Sequence, residues 1–322
     1  VDVAVYDGIL PDPTFDIIES GMLAARNHKC DAILAVGGGS SIDAAKMISV
    51  GLTNNKTLMQ LTGMLKVSEP GIPLYVIPTT AGTGSEVTAA AVITDPSSGQ
   101  KLSVIDGKLV PFSAALDPTL MTGLPAHITA ATGIDALTHA IEAYVSCAAT
   151  EETDSNARAA TRLIFNHLAT AYTDGGNLVA REALALGSCY AGLAFTKARV
   201  GYVHAVAHQL GAKYHVPHGL ANALVLPYVL DFYGTSAYKR LAELALDIGI
   251  APSNQTQQAQ EFIARVKELI ATLELPNTLK DIIDTDIPEM AKNALKEAHY
   301  LYPVPRYMDQ TQCENLIKDL QG

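Results

Sequence analysis

Carboxylate and imidazole side chains stand in this sequence at spacings that let them share one ion. Asp135 and His139 are four apart in the Ala- and Ile-rich run Thr132-Gly-Ile-Asp-Ala-Leu-Thr-His-Ala-Ile-Glu142. An i, i+4 spacing puts both on one helix face. His204 and His208 repeat the spacing in Gly201-Tyr-Val-His-Ala-Val-Ala-His-Gln-Leu-Gly211, and His215-Val-Pro-His218-Gly219 follows. Pro217 breaks that helix, and His218 opens another apolar segment, Gly219 to Leu226. A lone histidine is more often a core or surface residue, and two unrelated helices carrying such residues are the plain alternative. Four of the nine histidines between positions 204 and 218, with a fifth paired to a carboxylate, instead read as a metal site.

Two glycine- and hydroxyl-rich stretches offer a second chemistry, the binding of phosphate. Gly37-Gly38-Gly39-Ser40-Ser41-Ile-Asp43-Ala-Ala-Lys46 follows an apolar strand, Asp31 to Val36, and opens a helix reaching about Leu52. A strand–glycine–helix junction presents backbone N–H groups and a positive dipole end to an anion. The stretch is neither G-x-G-x-x-G nor a P-loop, and a tight turn also wants glycine. Pro78-Thr79-Thr80-Ala-Gly-Thr83-Gly-Ser-Glu-Val-Thr88 follows a second strand at 73–77. Ligands of open α/β sheets sit at such strand ends, so two loops of this kind together favour a nucleotide over ordinary turns.

The elements that must position these groups divide the chain in two. Residues 1–124 alternate helix and strand, with a helix at 14–28 and further strands at 73–77, 89–94, 102–105 and 114–116. That alternation predicts a parallel sheet covered on both faces. Turns are expected at Asn54-Asn55, Glu69–Gly71 and Asp95–Gly99. From Pro125, well placed to start a helix, residues 125–322 read as all-helical, with segments near 126–146, 152–172, 177–197, 200–211, 219–231, 236–248, 256–273 and 288–299. Asp174–Asn177 and Pro252–Asn254 are the clearest connectors, and the two halves should meet in a cleft.

Composition narrows the function. The net charge of −11 shows no basic stripe and argues against a nucleic-acid partner. Cys30, Cys147, Cys189 and Cys313 are scattered without a C-x-x-C pair, which predicts free thiols and a reducing, cytoplasmic setting. No uninterrupted apolar run is long enough to predict a membrane span. The chain opens at Val1, without a signal peptide, on the strand-like Val3-Ala-Val-Tyr6, as a processed or truncated chain would.

Taken in order, Gly37–Lys46, Thr79–Thr88, Ala131–Glu142 and Gly201–Gly211 continuing to Pro217-His-Gly219 resemble the iron-containing (group III) alcohol dehydrogenase family, over essentially the whole chain. The resemblance implies a Rossmann-like nucleotide-binding α/β domain at 1–124 and a helical metal-binding catalytic domain at 125–322. Family members usually carry a further strand–helix–strand segment ahead of the point matching Val1, so the α/β domain is expected to lack its first β–α–β segment. That segment helps to decide between NAD and NADP. By the same resemblance Asp135, His139, His204 and His218 hold one divalent ion, and His208 acts beside it in proton relay. Gly38, Gly39, Ser40, Asp43, Thr79, Thr80, Thr83 and Lys101 match cofactor-contacting positions, and Phe195 a pocket-lining aromatic beside the nicotinamide. His215 is expected to be a neighbour on the connector.

A ligand set of one carboxylate and three imidazoles suits Fe²⁺ and admits Zn²⁺. The implied reaction is hydride exchange between NAD or NADP and a small primary alcohol, diol or aldehyde, by a homo-oligomer (a dimer or larger). Lys197 and Arg199, beside Phe195, are either a recognition pair for a polar or anionic substrate or two cations on a solvated helix face. A dehydroquinate-synthase-like lyase or polyol-phosphate dehydrogenase of the same architecture is the rival reading, and an inactive metal-binding fragment the non-catalytic one.

Overall fold

The computed structural model describes residues 1–97, 100–251 and 253–322. The expected turn at Asp95–Gly99 and the connector at Pro252–Asn254 therefore lie partly outside the described residues, at Ser98, Gly99 and Pro252. The first part comprises α1 (Phe15–His28), β1 (Ile33–Gly37), α2 (Gly39–Thr53), α3 (Leu58–Leu61), β2 (Gly63–Met64), β3 (Leu74–Pro78), β4 (Ala90–Thr94), β5 (Lys101–Ile105) and β6 (Ser113–Ala114). β1, β3 and β6 form the expected parallel sheet, in register from Ile33 opposite Leu74 to Gly37 opposite Pro78. Both proposed phosphate loops therefore leave the same edge of one sheet.

The structure corrects three expectations about this part. β4 and β5 pair antiparallel in a second sheet, β2-β5-β4, because the few residues joining them allow a hairpin and not a crossover. The parallel sheet is covered on one face by α2, which packs Ile42 and Ala45 on Ala35, Leu74 and Val76. On the other face Leu34, Val36 and Tyr75 are exposed, and no described element lies over them. Val3–Tyr6 forms no strand. A strand needs a hydrogen-bonded neighbour, and this segment is held instead by the Tyr6 hydroxyl, which donates to the Ile17 carbonyl at 2.8 Å.

The remainder is helical: α4 (Ala126–Val145), α5 (Glu151–Thr173), α6 (Leu178–Ala198), α7 (Tyr202–Tyr214), α8 (His218–Tyr233), α9 (Tyr238–Asp247), α10 (Gln255–Thr272), α11 (Ile287–Leu301) and α12 (Gln310–Asp319). α12 was not expected, since only a few of its residues are apolar. Its start was legible in Asp309 and Gln312, which form a capping box. α4, α5 and α6 pack on one another, and α8 packs on α4. Buried Arg181 of α6 clamps the start of α4, donating to Thr129 Oγ1 at 2.8 Å and to the Gly175 carbonyl at 2.9 Å. Among the described residues α6 alone is long and apolar enough to cross a membrane, but 56% of that stretch is buried within the fold.

α4 and α8 meet backbone to backbone. A Cβ at Gly219 would lie 2.2 Å from the Ala131 carbonyl oxygen, so α8 can approach only because residue 219 has no side chain. Gly219→Ala should cost about 1–3 kcal/mol by forcing these helices apart. Gly123→Ala, with nothing within 4 Å of the new methyl, is the control. Urea midpoints for the two variants check this, and equal midpoints would refute the close-approach account.

Candidate metal centre

Three helices each bring a pair of residues, one turn apart, to the same region. α4 brings Asp135 and His139, α7 brings His204 and His208, and α8 brings His218 with Asn222 one turn later. One ligand atom from each of Asp135, His139, His204 and His218 lies within 4.8 Å of every other. Asp135 Oδ1 is the hub, 3.4 Å from His218 Nε2, 3.8 Å from His204 Nε2 and 4.0 Å from His139 Nε2. Ligands about 2.1 Å from a tetrahedral ion stand about 3.4 Å apart, so these separations suit an ion after a small contraction. The donors suit one too. Asp135, His139 and His204 are buried, while the His218 side chain is 39% exposed at the mouth.

The surroundings keep the imidazoles neutral and turned inward. Glu142 Oε2 lies 2.6 Å from His204 Nδ1, and with the carboxylate accepting there the Nε2 lone pair faces the cluster. Glu142 Oε1 also accepts from the Val203 N–H at 2.7 Å, at the start of α7. Burial pushes the Glu142 carboxyl up to about 8 and holds His204 well below the usual imidazole value. Burial likewise lowers His139, against the pull of the Asp135 carboxylate and the Gly82 backbone. His218 is lowered to about 4 by burial among these groups. Protons and an ion compete for the same lone pairs.

At the mouth, His208 stays outside the four-atom cluster. Its ring stacks on His218, with centroids 5.4 Å apart, and its Nδ1 lies 2.8 Å from Glu297 Oε1. The Tyr302 hydroxyl donates to the same oxygen at 2.6 Å. Burial would raise Glu297, but the hydrogen bonds from His208 and Tyr302 outweigh it and hold the carboxyl low. Phe195 lies flat on His139, at 4.1 Å between centroids, and walls the cluster on the α6 side. Lys197 turns away into an exposed pair with Glu152 at 2.6 Å, the solvated-face reading of that residue. Arg199 follows α6 with φ 68°, and His215 ends α7, exposed and left-handed.

The glycine and hydroxyl loops converge beside this centre. Gly38 caps α2, and Gly39 and Ser40 begin it. A Cβ at Gly38 would lie 3.3 Å from the Thr80 side chain, and one at Gly39 2.6 Å from Thr83, so the two loops touch. Thr79 N–H donates to the Gly37 carbonyl at 3.0 Å. Asp43 does not offer a free carboxylate. It accepts from Ser85 Oγ at 2.5 Å and from the Val92 N–H at 2.9 Å, holding the second loop to α2. Buried Lys46 completes that lock, donating to the Thr88 carbonyl and hydroxyl at 3.0 Å and to the Ala90 carbonyl at 2.7 Å. Lys101, at the start of β5, pairs with Asp12 at 2.7 Å, both exposed.

Sequence reasoning assigned no role to Glu142, Asn222, Glu297 or Lys46. Glu142 was the most legible, seven residues past Asp135 on the same helix face. Asn222 was signalled as the one polar residue in an apolar run, four past His218. Glu297 comes from α11, and no local spacing connects it to His208.

Residues 1–118 match the family pattern described as "Iron-containing alcohol dehydrogenase". Residues 129–321 match that of "Fe-containing alcohol dehydrogenase family, C-terminal". The chain belongs to the iron-containing alcohol dehydrogenase family, and its activity is oxidoreduction between alcohols and aldehydes. It is 40% identical over 303 residues to a 1,3-propanediol dehydrogenase of Klebsiella pneumoniae, a match spanning 93% of this chain and 78% of that one. A solved 1,3-propanediol oxidoreductase superposes with a TM-score of 0.95 at 38% identity, over 99% of this chain and 84% of that one. The sulfoacetaldehyde reductase of Bifidobacterium kashiwanohense, solved with NAD+, gives 0.90 at 27% identity, over 99% and 84%.

A pH dependence follows from the buried imidazoles. The unfolded chain takes up protons near pH 6.5 at His139, His204 and His218, which the folded chain refuses. Their contribution to stability is present above about 6.5 and is lost as pH falls toward about 4, the value for His218. Buried Glu142, raised to about 8, pulls the other way over the same range, so the imidazole contribution is read as a difference: in excess chelator, wild type should lose more melting temperature between pH 7 and 5 than His139→Gln. Equal slopes in the two proteins would show that the His139 imidazole is not held neutral.

Proposed function

We propose that this chain is a metal-dependent NAD(P) alcohol dehydrogenase and aldehyde reductase acting on small primary alcohols or diols. The observation that carries the reading is one carboxylate and three neutral imidazoles converging beside a paired glycine and hydroxyl loop. Asp135, His139, His204 and His218 would hold the ion. Fe²⁺ is supported by the family and by a donor set without thiolate, while Zn²⁺ suits the same nitrogens and oxygen. Residues 1–124 would bind the nucleotide, through Gly38, Gly39, Ser40, Thr79, Thr80, Thr83 and Lys101, with Asp43 holding the second loop in place. NAD is supported by the NAD+-bound relative, and NADP is the other arm of the assay. Residues 125–322 would form the catalytic half. A cytoplasmic setting is supported by four free cysteines; assembly into a homo-oligomer rests on the family resemblance alone.

An ion held at this point supplies Lewis acidity, which lowers the pKa of an alcohol hydroxyl and polarises an aldehyde carbonyl. The chain supplies the rest. Phe195, stacked on His139, walls the pocket and keeps water from the reacting carbon. His208 is 41% exposed, stands over His218 and is held by Glu297, so its free Nε2 can take the hydroxyl proton and pass it to solvent. The touching loops 37–40 and 79–83 would seat the pyrophosphate at the start of α2, where backbone N–H groups point outward.

Metal analysis of anaerobically purified protein, with NADH and NADPH oxidation assays on propanal, tests the reading. The expected result is one equivalent of iron and aldehyde-dependent oxidation of NADH. Asp135→Ala and His218→Ala should each lose the ion and the activity together. Retained metal with full turnover in both variants would sink the ligand assignment. Zinc with no aldehyde turnover would move the reading to the lyase or phosphate-substrate relatives.

A further inference from the structure

Asn222 is the only polar residue in the α8 run Gly219–Leu226, and it is 0% exposed. A buried amide in an otherwise apolar helix is unfavourable unless its hydrogen bonds are made. Its Nδ2 donates to Asp135 Oδ1 at 2.7 Å and lies 3.3 Å from both His204 Nε2 and His218 Nε2. Its Oδ1 is buried with no partner. The reverse amide orientation would set oxygen against a carboxylate and two imidazole lone pairs, so only the donor orientation suits this place.

Two protons thus serve three acceptors, and the acceptors differ. An imidazole Nε2 has one lone pair, which an ion would take. A carboxylate oxygen has more than one, so the short bond to Asp135 Oδ1 persists beside an ion. We propose that Asn222 is the positioning residue of the metal centre. It fixes the direction of Asp135 Oδ1, the hub of the cluster, and in the ion-free protein its second proton keeps the two imidazoles turned inward. The inference rests on the reading of Asp135, His139, His204 and His218 as ligands. It adds a fifth inward residue to those four and completes the one-turn pairing on the third helix.

The test is metal affinity, read without turnover. Wild type, Asn222→Leu (the same branched shape, larger and without a donor) and Asn222→Ala (smaller and without a donor) are freed of metal and checked for fold by circular dichroism and melting temperature. Each is then titrated with Co²⁺ against a chromophoric chelator while the visible cobalt spectrum is followed. Both variants should bind about 10–100-fold more weakly than wild type, with a shifted cobalt band reporting a reoriented carboxylate. A merely space-filling role would leave the band where it is. Wild-type affinity with an unchanged band in either folded variant would overturn the role of Asn222 and leave the ligand reading standing. A wild-type protein that takes up no Co²⁺ would overturn both.

Discussion

A carboxylate and three imidazoles whose lone pairs converge, three of the four groups buried, are unfavourable without a cation. Much of the helical half exists to hold them there. Asp135 and His139 lie on a helix buried along most of its length, and His204 is fixed by a carboxylate from that same helix. His218 and Asn222 come in on α8, admitted by a glycine where the two backbones meet. None of these groups sits on a flexible loop. The alternatives to an ion, protonation of imidazoles or opening of the cluster, are resisted by burial in the first case and by helix packing in the second. The site is preorganised because its scaffold has few other arrangements.

Much of this was legible before any coordinates, for a specific reason. The i, i+4 rule is local, so 135/139 and 204/208 could be read as facing pairs from sequence alone. What the rule cannot supply is the convergence of separate helices. Glu297 on α11 and the clasp of Arg181 on the start of α4 are long-range facts with no local signature. The same limit explains the sheet. Strand positions were read well, because alternation and apolar runs are local, whereas pairing partners are not. The antiparallel β4–β5 hairpin could have been inferred from its short connection. The uncovered face of β1 and β3 could not, since near-continuous apolar strands look alike whether one face or two is buried.

Asp43 shows how a family position and a physical role can differ. Its place in the Gly37–Lys46 motif suggested contact with cofactor, yet both oxygens are spent on Ser85 and Val92. With Lys46, buried and lowered to about 8 by desolvation, it forms a polar rivet between α2 and the 79–90 segment. Removing water from these charges is costly, and their mutual attraction with several backbone hydrogen bonds offsets that cost. The rivet sets the second loop against the first, and the spacing of Gly39 and Thr83 depends on it.

The loop is fixed on its other side by backbone. A Cβ at Gly82 would lie 2.7 Å from Thr132 Cβ, and one at Gly84 2.7 Å from Gly192 Cα. Gly84 also has φ 60°, which favours glycine on conformational grounds. Thr132 stands three residues before Asp135, and Gly192 three before Phe195. The 79–84 segment is therefore wedged against the helix that carries the hub carboxylate and the helix that carries the pocket wall. Hydride transfer is steeply sensitive to the separation of donor and acceptor carbons. On the proposed nucleotide reading, a loop locked to α2 by Asp43 and Lys46 and seated on α4 and α6 by close approach at Gly82 and Gly84 would set that separation through rigid elements.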